Sequence, residues 1–316
     1  MARFVLEPEH AGLRLDKVLT RLVPGTSRAE AQRWIDAGRV QVDGQAGVAK
    51  RPVATGQVIE AEPLPPAANN ATPDATVELV VLYEDDALIV IDKPAGMVVH
   101  PARGHWSGTL VNGLLARPGF SAAAADPADG SGALRPGIVQ RLDKDTSGVL
   151  VVAKSVEARE GLKAQLGARE VRREYLAITC GRCEPGRIET LHGRHPRSRL
   201  RFSSRVERGR PAITNVQVEE VLAGGIATRV RCRLETGRTH QIRVHLAEQR
   251  DAPLLADVLY GRSLVDERLR AAAQAIGRQA LHASLLGFVH PLTGAEMRFE
   301  APVPEDFRRA LELLSR

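Results

Sequence analysis

Residues 63–76, Pro-Leu-Pro-Pro-Ala-Ala-Asn-Asn-Ala-Thr-Pro-Asp-Ala-Thr, divide the chain. Pro63, Pro65, Pro66 and Pro73 lack the backbone N–H that a helix interior or a central strand needs, and neither apolar periodicity runs through the stretch. It reads as an extended linker. A chain cut in this way folds as two pieces, a small unit over residues 1–62 and a larger one over 77–316. At 316 residues, both are long enough to bury a core.

In the first piece, Leu15, Val18, Leu19 and Leu22 share one face of a helix predicted over Arg14–Leu22. Ser27, with Glu30 three residues on, forms a capping box for a second helix, Arg28–Ala37, which stops at Gly38. A strand at Val40–Val42, the hairpin signal Asp43-Gly44 and a later strand near Val58-Ile59 follow. The ordered residues Arg14-Leu15-Asp16-Lys17, Ser27-Arg28-Ala29, Ile35, Gly38, Val40 and Val42-Asp43-Gly44 resemble the S4 RNA-binding module over about residues 13–60. The resemblance implies a small α/β fold that meets RNA through Arg14, Lys17, Arg28, Arg33 and Arg39.

The pattern changes at Val77. Strand-like runs recur at Leu79–Leu82, Leu88–Ile91, Val149–Ala153, Arg173–Thr179, Val216–Val221 and Ala227–Leu234. Helical segments lie at Ser107–Ala116, Val156–Leu166, Thr239–Glu248 and Glu305–Leu314, and Ser121–Gly132 reads as a surface loop. Strands and helices do not alternate in βαβ fashion, which excludes a doubly wound parallel sheet. The expected class is α+β: a mixed, mainly antiparallel sheet flanked by helices.

Four segments carry candidate chemistry. Arg141-Leu142-Asp143-Lys144-Asp145-Thr146-Ser147-Gly148 lies between Pro136–Val139 and Val149–Ala153, both read as buried strands. Asp143 is thereby placed on a short polar loop with Arg141 before it and Lys144 after it. The same residue types also make ordinary turns, so the loop alone leaves both readings open. Arg173-Glu174-Tyr175 opens a strand on which Tyr175 and Glu174 face opposite ways. In Glu235–His245, Gly237 turns the chain, Thr239 is the expected cap, and Arg243 sits one turn into the helix, able to make a bidentate pair with a carboxylate across a cleft. Between residues 194 and 210, Arg194, Arg197, Arg199, Arg201, Arg205, Arg208 and Arg210 are opposed only by Glu207. On a strand, Arg197, Arg199 and Arg201 would share one face and follow phosphates. Ile91–Pro101, a strand, tight turn and strand, is expected to shape the cleft edge.

Composition narrows the partners. A net charge of +6 and a pI near 9.6 favour a polyanion. Aromatics at 3% argue against a binder that stacks many bases. No apolar run is long enough to span a membrane, and Phe4-Val5-Leu6 is too short for a secretory signal, so a cytoplasmic protein is expected. Three cysteines exclude a disulfide framework. Cys180-Gly181-Arg182-Cys183 precedes His192 and His195, but that histidine pair is tighter than the usual finger spacing and no zinc is expected. Asn70-Ala71-Thr72, formally a glycosylation acceptor, has no meaning in the cytosol.

Taken in order, the Arg141–Gly148, Arg173–Ala177 and Thr236–His245 motifs resemble the RluA family of pseudouridine synthases over nearly the whole chain. His195-Pro196, Gln279–Ala283 and His290-Pro291 are most similar to its RluD-like branch, which modifies large-subunit ribosomal RNA. The resemblance implies a reaction that detaches uracil from C1′ of its ribose and rejoins it through C5, with no cofactor and no metal. It implies Asp143 as the catalytic carboxylate, Arg243 as its partner, and Tyr175 stacked on uracil and assisting removal of the C5 proton. Arg141 would hold the flipped nucleotide or fill its place. Lys144, Arg194, Arg197, Arg199 and Arg201 are further RNA-contact candidates. The partner is ribosomal RNA, and a monomer is expected. Gln140 stands where the family usually has His, and Ala256-Asp257-Val258 where Gly-Asp-Pro is common; neither is expected to touch the acid–base set. The alternative is a non-catalytic RNA-binding or ribosome-assembly protein, which does not require Asp143, Tyr175 and Arg243 to meet.

Overall fold

The computed structural model describes residues 2–24, 26, 28–64, 71–102, 104–120 and 135–315. The Ser27 cap, the Asn70 acceptor and the Ser121–Gly132 loop lie outside them. The chain forms two compact units, Met1–Asn70 and Ala71–Arg316. No helix among the described residues is long and apolar enough to cross a membrane.

In the first unit, α1 (Leu15–Leu22) and α2 (Arg28–Asp36) pack on an antiparallel sheet. Its strands, β1 (Ala2–Val5), β2 (Val40–Val42), β3 (Gln45–Ala46) and β4 (Val58–Ala61), lie in the order β1-β4-β2-β3. The predicted apolar face of α1 is the one that is buried: Leu15, Val18 and Leu19 meet Trp34 and Ile35 of α2 and Ile59 of β4. Asp43 and Gly44 both take positive φ, 52° and 74°, the geometry of a tight hairpin between β2 and β3.

The second unit is built on a ten-stranded sheet. Its strands are β5 (Val80–Glu84), β6 (Leu88–Lys93), β7 (Ser147–Ala153), β8 (Arg172–Cys180), β9 (Gly186–Arg194), β10 (Phe202–Ser203), β11 (Arg210–Leu222), β12 (Ala227–Leu234), β13 (Leu281–Val289) and β14 (Glu296–Glu300). They run in the order β10-β9-β11-β12-β8-β13-β7-β6-β5, with β14 beside β13. Among the described residues only β13 and β7 pair in parallel, so the sheet is mixed and mainly antiparallel, as expected. Alternation sorts the side chains. Ile89, Ile91, Leu150 and Val152 face α3 (Leu110–Leu115) and α5 (Gln241–Gln249). Leu88, Val90, Val149 and Val151 face the other way, onto α4 (Val156–Ala168). Farther along, α6 (Glu267–Ile276) and α7 (Glu305–Ser315) cover Ile178 and Leu222.

Three expectations are corrected. Pro136–Val139 is not a strand: Pro136-Gly137 turns the chain, Gly137 takes φ 71°, and only Ile138 bridges to Val152 of β7. Residues 195–201 are a loop, not a strand. They are closed by the pairing of Arg194 with Phe202 and by the His195 N–H donating to the Arg201 carbonyl at 3.0 Å, so Arg197, Arg199 and Arg201 form no one-faced stripe. The helix expected from Thr239 starts at Gln241, and its cap position is His240, in the left-handed region at φ 59°. The stretch read as linker is anchored where it is described. Leu64 packs on the first core, while the Asn112 side chain donates to the Thr72 carbonyl at 2.7 Å and the Asp74 N–H to the Asn112 carbonyl at 2.9 Å.

Candidate active site

The loop before β7 is shaped by contacts to its backbone. The Thr146 N–H donates to the Asp143 carbonyl at 3.1 Å, closing a turn around Lys144-Asp145. Lys93, fully buried at the end of β6, gives its three ammonium hydrogens to the carbonyls of Pro94, Met97 and Lys144 at 2.7, 3.0 and 3.0 Å. On the next carbonyl, Arg278 Nη1 donates to Asp145 at 3.0 Å while Nη2 reaches Ser147 Oγ at 3.2 Å. Arg278 is itself held by a two-point pair with Asp306 of α7, at 2.6 and 3.0 Å. Gly148 takes φ 114°, and a Cβ there would lie 2.1 Å from the Ala283 carbonyl, so only glycine lets β7 approach β13.

This held loop presents Asp143. Its Oδ2 accepts from Arg243 Nη1 at 3.0 Å. Arg243, on α5, is buried and makes a second, bidentate pair with Asp257: Nε to Oδ2 at 2.7 Å and Nη2 to Oδ1 at 2.8 Å. Asp257 also accepts the N–H groups of Leu259 and Tyr260. Burial works to push the Asp257 carboxyl up, but the Arg243 guanidinium and the two N–H groups hold it below its ordinary value. The Tyr260 ring lies 5.2 Å from the Arg243 guanidinium carbon. Asp257, which was expected to stay apart from the candidate residues, is instead hydrogen-bonded to one of them, Arg243.

Tyr175 projects from β8 toward the same place. Burial pushes its hydroxyl up to about 12, the Arg173 charge opposes this, and the Asp143 charge adds to it. Asp143, Tyr175 and Arg243 line one cleft of about 1050 Å3, with Arg141 and Lys144 at the same loop. Arg141 Nη2 donates to Thr239 Oγ1 at 3.2 Å. The Lys144 side chain is exposed, and it is the carbonyl of this residue that the fold uses. Arg169, Arg173, Arg210 and Arg238 add positive charge to the cleft wall, with Glu235 among them.

The remaining candidates lie elsewhere. Arg194 folds over the Phe202 ring at 4.7 Å and Arg201 over Tyr260 at 5.1 Å; Arg197 and Arg199 are exposed, and none of the four lines the cleft. In the first unit, Arg14 and Arg28 share the buried Asp16 carboxylate at 2.7 and 3.0 Å, and Arg39 pairs with Glu62. Lys17 is exposed and Arg33 half-buried. Cys180 and Cys183 are buried thiols pushed up to about 11 by burial, and His192 is spent on the Thr239 carbonyl at 2.9 Å. Sequence reasoning missed Lys93, Asp257, Arg278 and, on the cleft wall, Arg169, Arg173 and Arg238, whereas Arg210 belonged to the basic run between residues 194 and 210. A lysine closing the apolar run Leu88–Ile91 was the available signal for the first of these.

Comparison with known proteins places the chain in a family. The family model described as RNA pseudouridylate synthase matches residues 87–248, and the S4 domain model matches residues 13–58. The chain is 42% identical, over 98% of its length and 91% of the relative's, to ribosomal large subunit pseudouridine synthase D of Xanthomonas campestris. It is 43% identical, over 97% of its length and 80% of the relative's, to the protein of the same name in Neisseria meningitidis serogroup A. The solved structure of human RNA pseudouridylate synthase domain containing 4 has the same fold, with a TM-score of 0.55 over 74% of this chain and 92% of that one at 24% identity. With the family model covering half the chain and such relatives spanning nearly all of it, the chain belongs to the RNA pseudouridylate synthase family.

Proposed function

We propose that the enzyme converts uridines of large-subunit ribosomal RNA to pseudouridine with Asp143 as the catalytic carboxylate. The observation that carries this reading is the Asp143–Arg243 ion pair at 3.0 Å, set in the same cleft as Tyr175. The named substrates of its relatives supply the RNA class. The target nucleotide leaves its stack at a cost of a few kcal/mol and enters the cleft, and Arg141 swings to hold it or to fill the gap. Asp143 then either attacks C1′, forming an ester as the N1–C1′ bond breaks, or takes the C2′ proton and leaves a glycal. The freed uracil turns and C5 bonds to C1′, expelling the Asp143 carboxylate from the ester or, on the glycal route, as Asp143 returns its proton to C2′; the C5 proton then departs and N1 gains one. The ring is both leaving group and returning nucleophile, so the scheme draws on no cofactor. Tyr175 stacks on the ring. A phenol held at about 12 is a weak base at neutral pH, so it takes the C5 proton only by passing its own proton on, and Asp143 is the nearby carboxylate. The same reading takes the enzyme to be a cytoplasmic monomer that uses the first unit and the cleft-wall arginines to hold RNA.

Asp143→Asn tests the assignment. Tritium release from large-subunit RNA labelled at uridine C5 is expected to fall to background, with RNA retention on filters unchanged. Turnover near wild type would remove Asp143 from the chemistry. Loss of particular pseudouridines from the large-subunit RNA of a strain lacking the gene is the expected sign of the substrate, and an unchanged map would overturn it.

A further inference from the structure

His240 lines the cleft and has no role in the scheme above. It takes φ 59° and ψ 20° at the head of α5, the left-handed region that non-glycine residues seldom adopt, histidine less rarely than most. A bulky residue held there points to a use for its ring. The ring is fixed on one edge. The Tyr260 hydroxyl accepts the Phe202 N–H at 2.8 Å and lies 2.9 Å from His240 Nδ1. Where that hydroxyl gives its proton to His240 Nδ1, the neutral imidazole carries its own proton on Nε2. Phe202 and Tyr260 clasp the ring edge to face, each with a centroid distance of 5.7 Å. Burial, the largest influence on the group, holds the imidazole below its ordinary value and so neutral at neutral pH. Nε2 has no hydrogen-bond partner among the described residues.

The position says what this donor meets. Asp143, Tyr175 and His240 line the same cleft. A nucleotide with its uracil on Tyr175 and its ribose at Asp143 carries a phosphate on either side of that ribose, and an N–H donor in the same cleft suits a phosphate oxygen. Thr239, the residue before His240, already takes the Arg141 guanidinium. We propose that His240 Nε2–H donates to an oxygen of a phosphate flanking the target uridine, holding the nucleotide while Asp143 works on its ribose. The inference rests on the cleft being the site of uridine isomerisation.

The test uses the full-length enzyme and a large-subunit RNA fragment, unmodified or with a neutral methylphosphonate 5′ or 3′ of the target. His240→Phe keeps a ring and removes the donor; His240→Asn keeps a residue that accepts the left-handed conformation and cannot reach as far. Both are expected to lower kcat/KM on natural RNA about 10- to 100-fold, the worth of one hydrogen bond to a charged group, with the melting temperature of His240→Asn unchanged. Tyr260→Phe, which frees the tautomer, is expected to show a smaller loss. On the methylphosphonate that removes the acceptor, wild type should fall to the rate of the variants, and the 5′ and 3′ substitutions tell which phosphate it is. Wild-type kcat/KM in His240→Phe, or a deficit of the same size on every RNA, would overturn the contact. An inactive Asp143→Asn beside a fully active His240→Phe sinks this inference alone, whereas an active Asp143→Asn sinks the reading beneath it.

Discussion

Arg243 is aimed by Asp257. Two parallel hydrogen bonds from Nε and Nη2 fix the plane of the guanidinium, and the remaining Nη1 then points at Asp143. The Asp257 side chain is fully buried, so replacing it with a neutral amide sets an N–H against the guanidinium in a place that water does not reach. Asp257→Asn is expected to lower kcat about 10- to 100-fold with KM for RNA little changed, the size of one charged hydrogen bond removed. It should also lower unfolding free energy by about 3 kcal/mol, as expected when a buried pair loses one charge. Single-turnover kinetics and urea titration measure the two effects, and an unaltered kcat would mean that Arg243 holds its aim without Asp257. The Asp143–Arg243 pair was legible from motifs because each residue sits in an ordered run. Asp257 was not, because its partner lies on another element and no local periodicity marks a pair made across a turn. The turn leaves one trace in the sequence: Ala256 takes φ 58°, the left-handed region, at the position where the family commonly has glycine.

At the scale of elements, α5 joins the active site to the sheet through His245. The imidazole is fully buried between Thr190 Oγ1 of β9, 3.0 Å from Nε2, and Thr214 Oγ1 of β11, 2.9 Å from Nδ1. Burial holds it down at about 4. As pH falls from 6.5 toward 4, the unfolded chain takes up a proton at this residue that the folded protein refuses, so stability drops through that window and is whole above it. Between pH 7 and 5 the loss from His245 alone is about 2 kcal/mol. His192, His240 and His282 are also pushed down by burial and act in the same direction. The readout is therefore a difference: urea unfolding at pH 7 and 5 should show a shallower decline in His245→Gln than in wild type, and equal declines would place the effect elsewhere. The helix itself was legible from its apolar spacing, but its first residue was not, since the cap is a strained histidine rather than the threonine that propensity favours. The strand β9 went unseen because as an outer strand it alternates charged and apolar residues only loosely, and β13 because its small and polar residues, His282, Ala283 and Ser284, pack against close neighbours in place of bulky ones.

At the scale of the whole molecule, the two units rest on separate cores. The first core draws only on residues up to Leu64, and the three clusters of the second unit only on residues after it. Among the described residues, the Asp143 loop takes its supports from the second unit: Lys93 on β6, Arg278 before β13 and Asp306 on α7. The Pro-rich stretch 63–76 spans the boundary between the units Met1–Asn70 and Ala71–Arg316, whereas the brace from α7 to the loop left no sign in the sequence because it joins residues far apart in the chain. The first unit offers Lys17, Arg28 and Arg39 at its surface, with Arg14 and Arg28 sharing one carboxylate so that the trio keeps a net positive charge. A fragment of residues 71–316 should therefore fold, hold its kcat at saturating RNA and bind RNA more weakly. Each phosphate that the first unit neutralises in the full chain adds about 0.7 to 0.9 to the slope of log affinity against log salt, and the fragment should show a flatter slope by that amount per phosphate. Cooperative urea unfolding of the fragment, kcat at saturation and binding at several salt concentrations measure the three consequences. If the fragment folds but kcat collapses, the first unit takes part in the chemistry; if affinity and salt slope match the full chain, its arginines do not touch RNA.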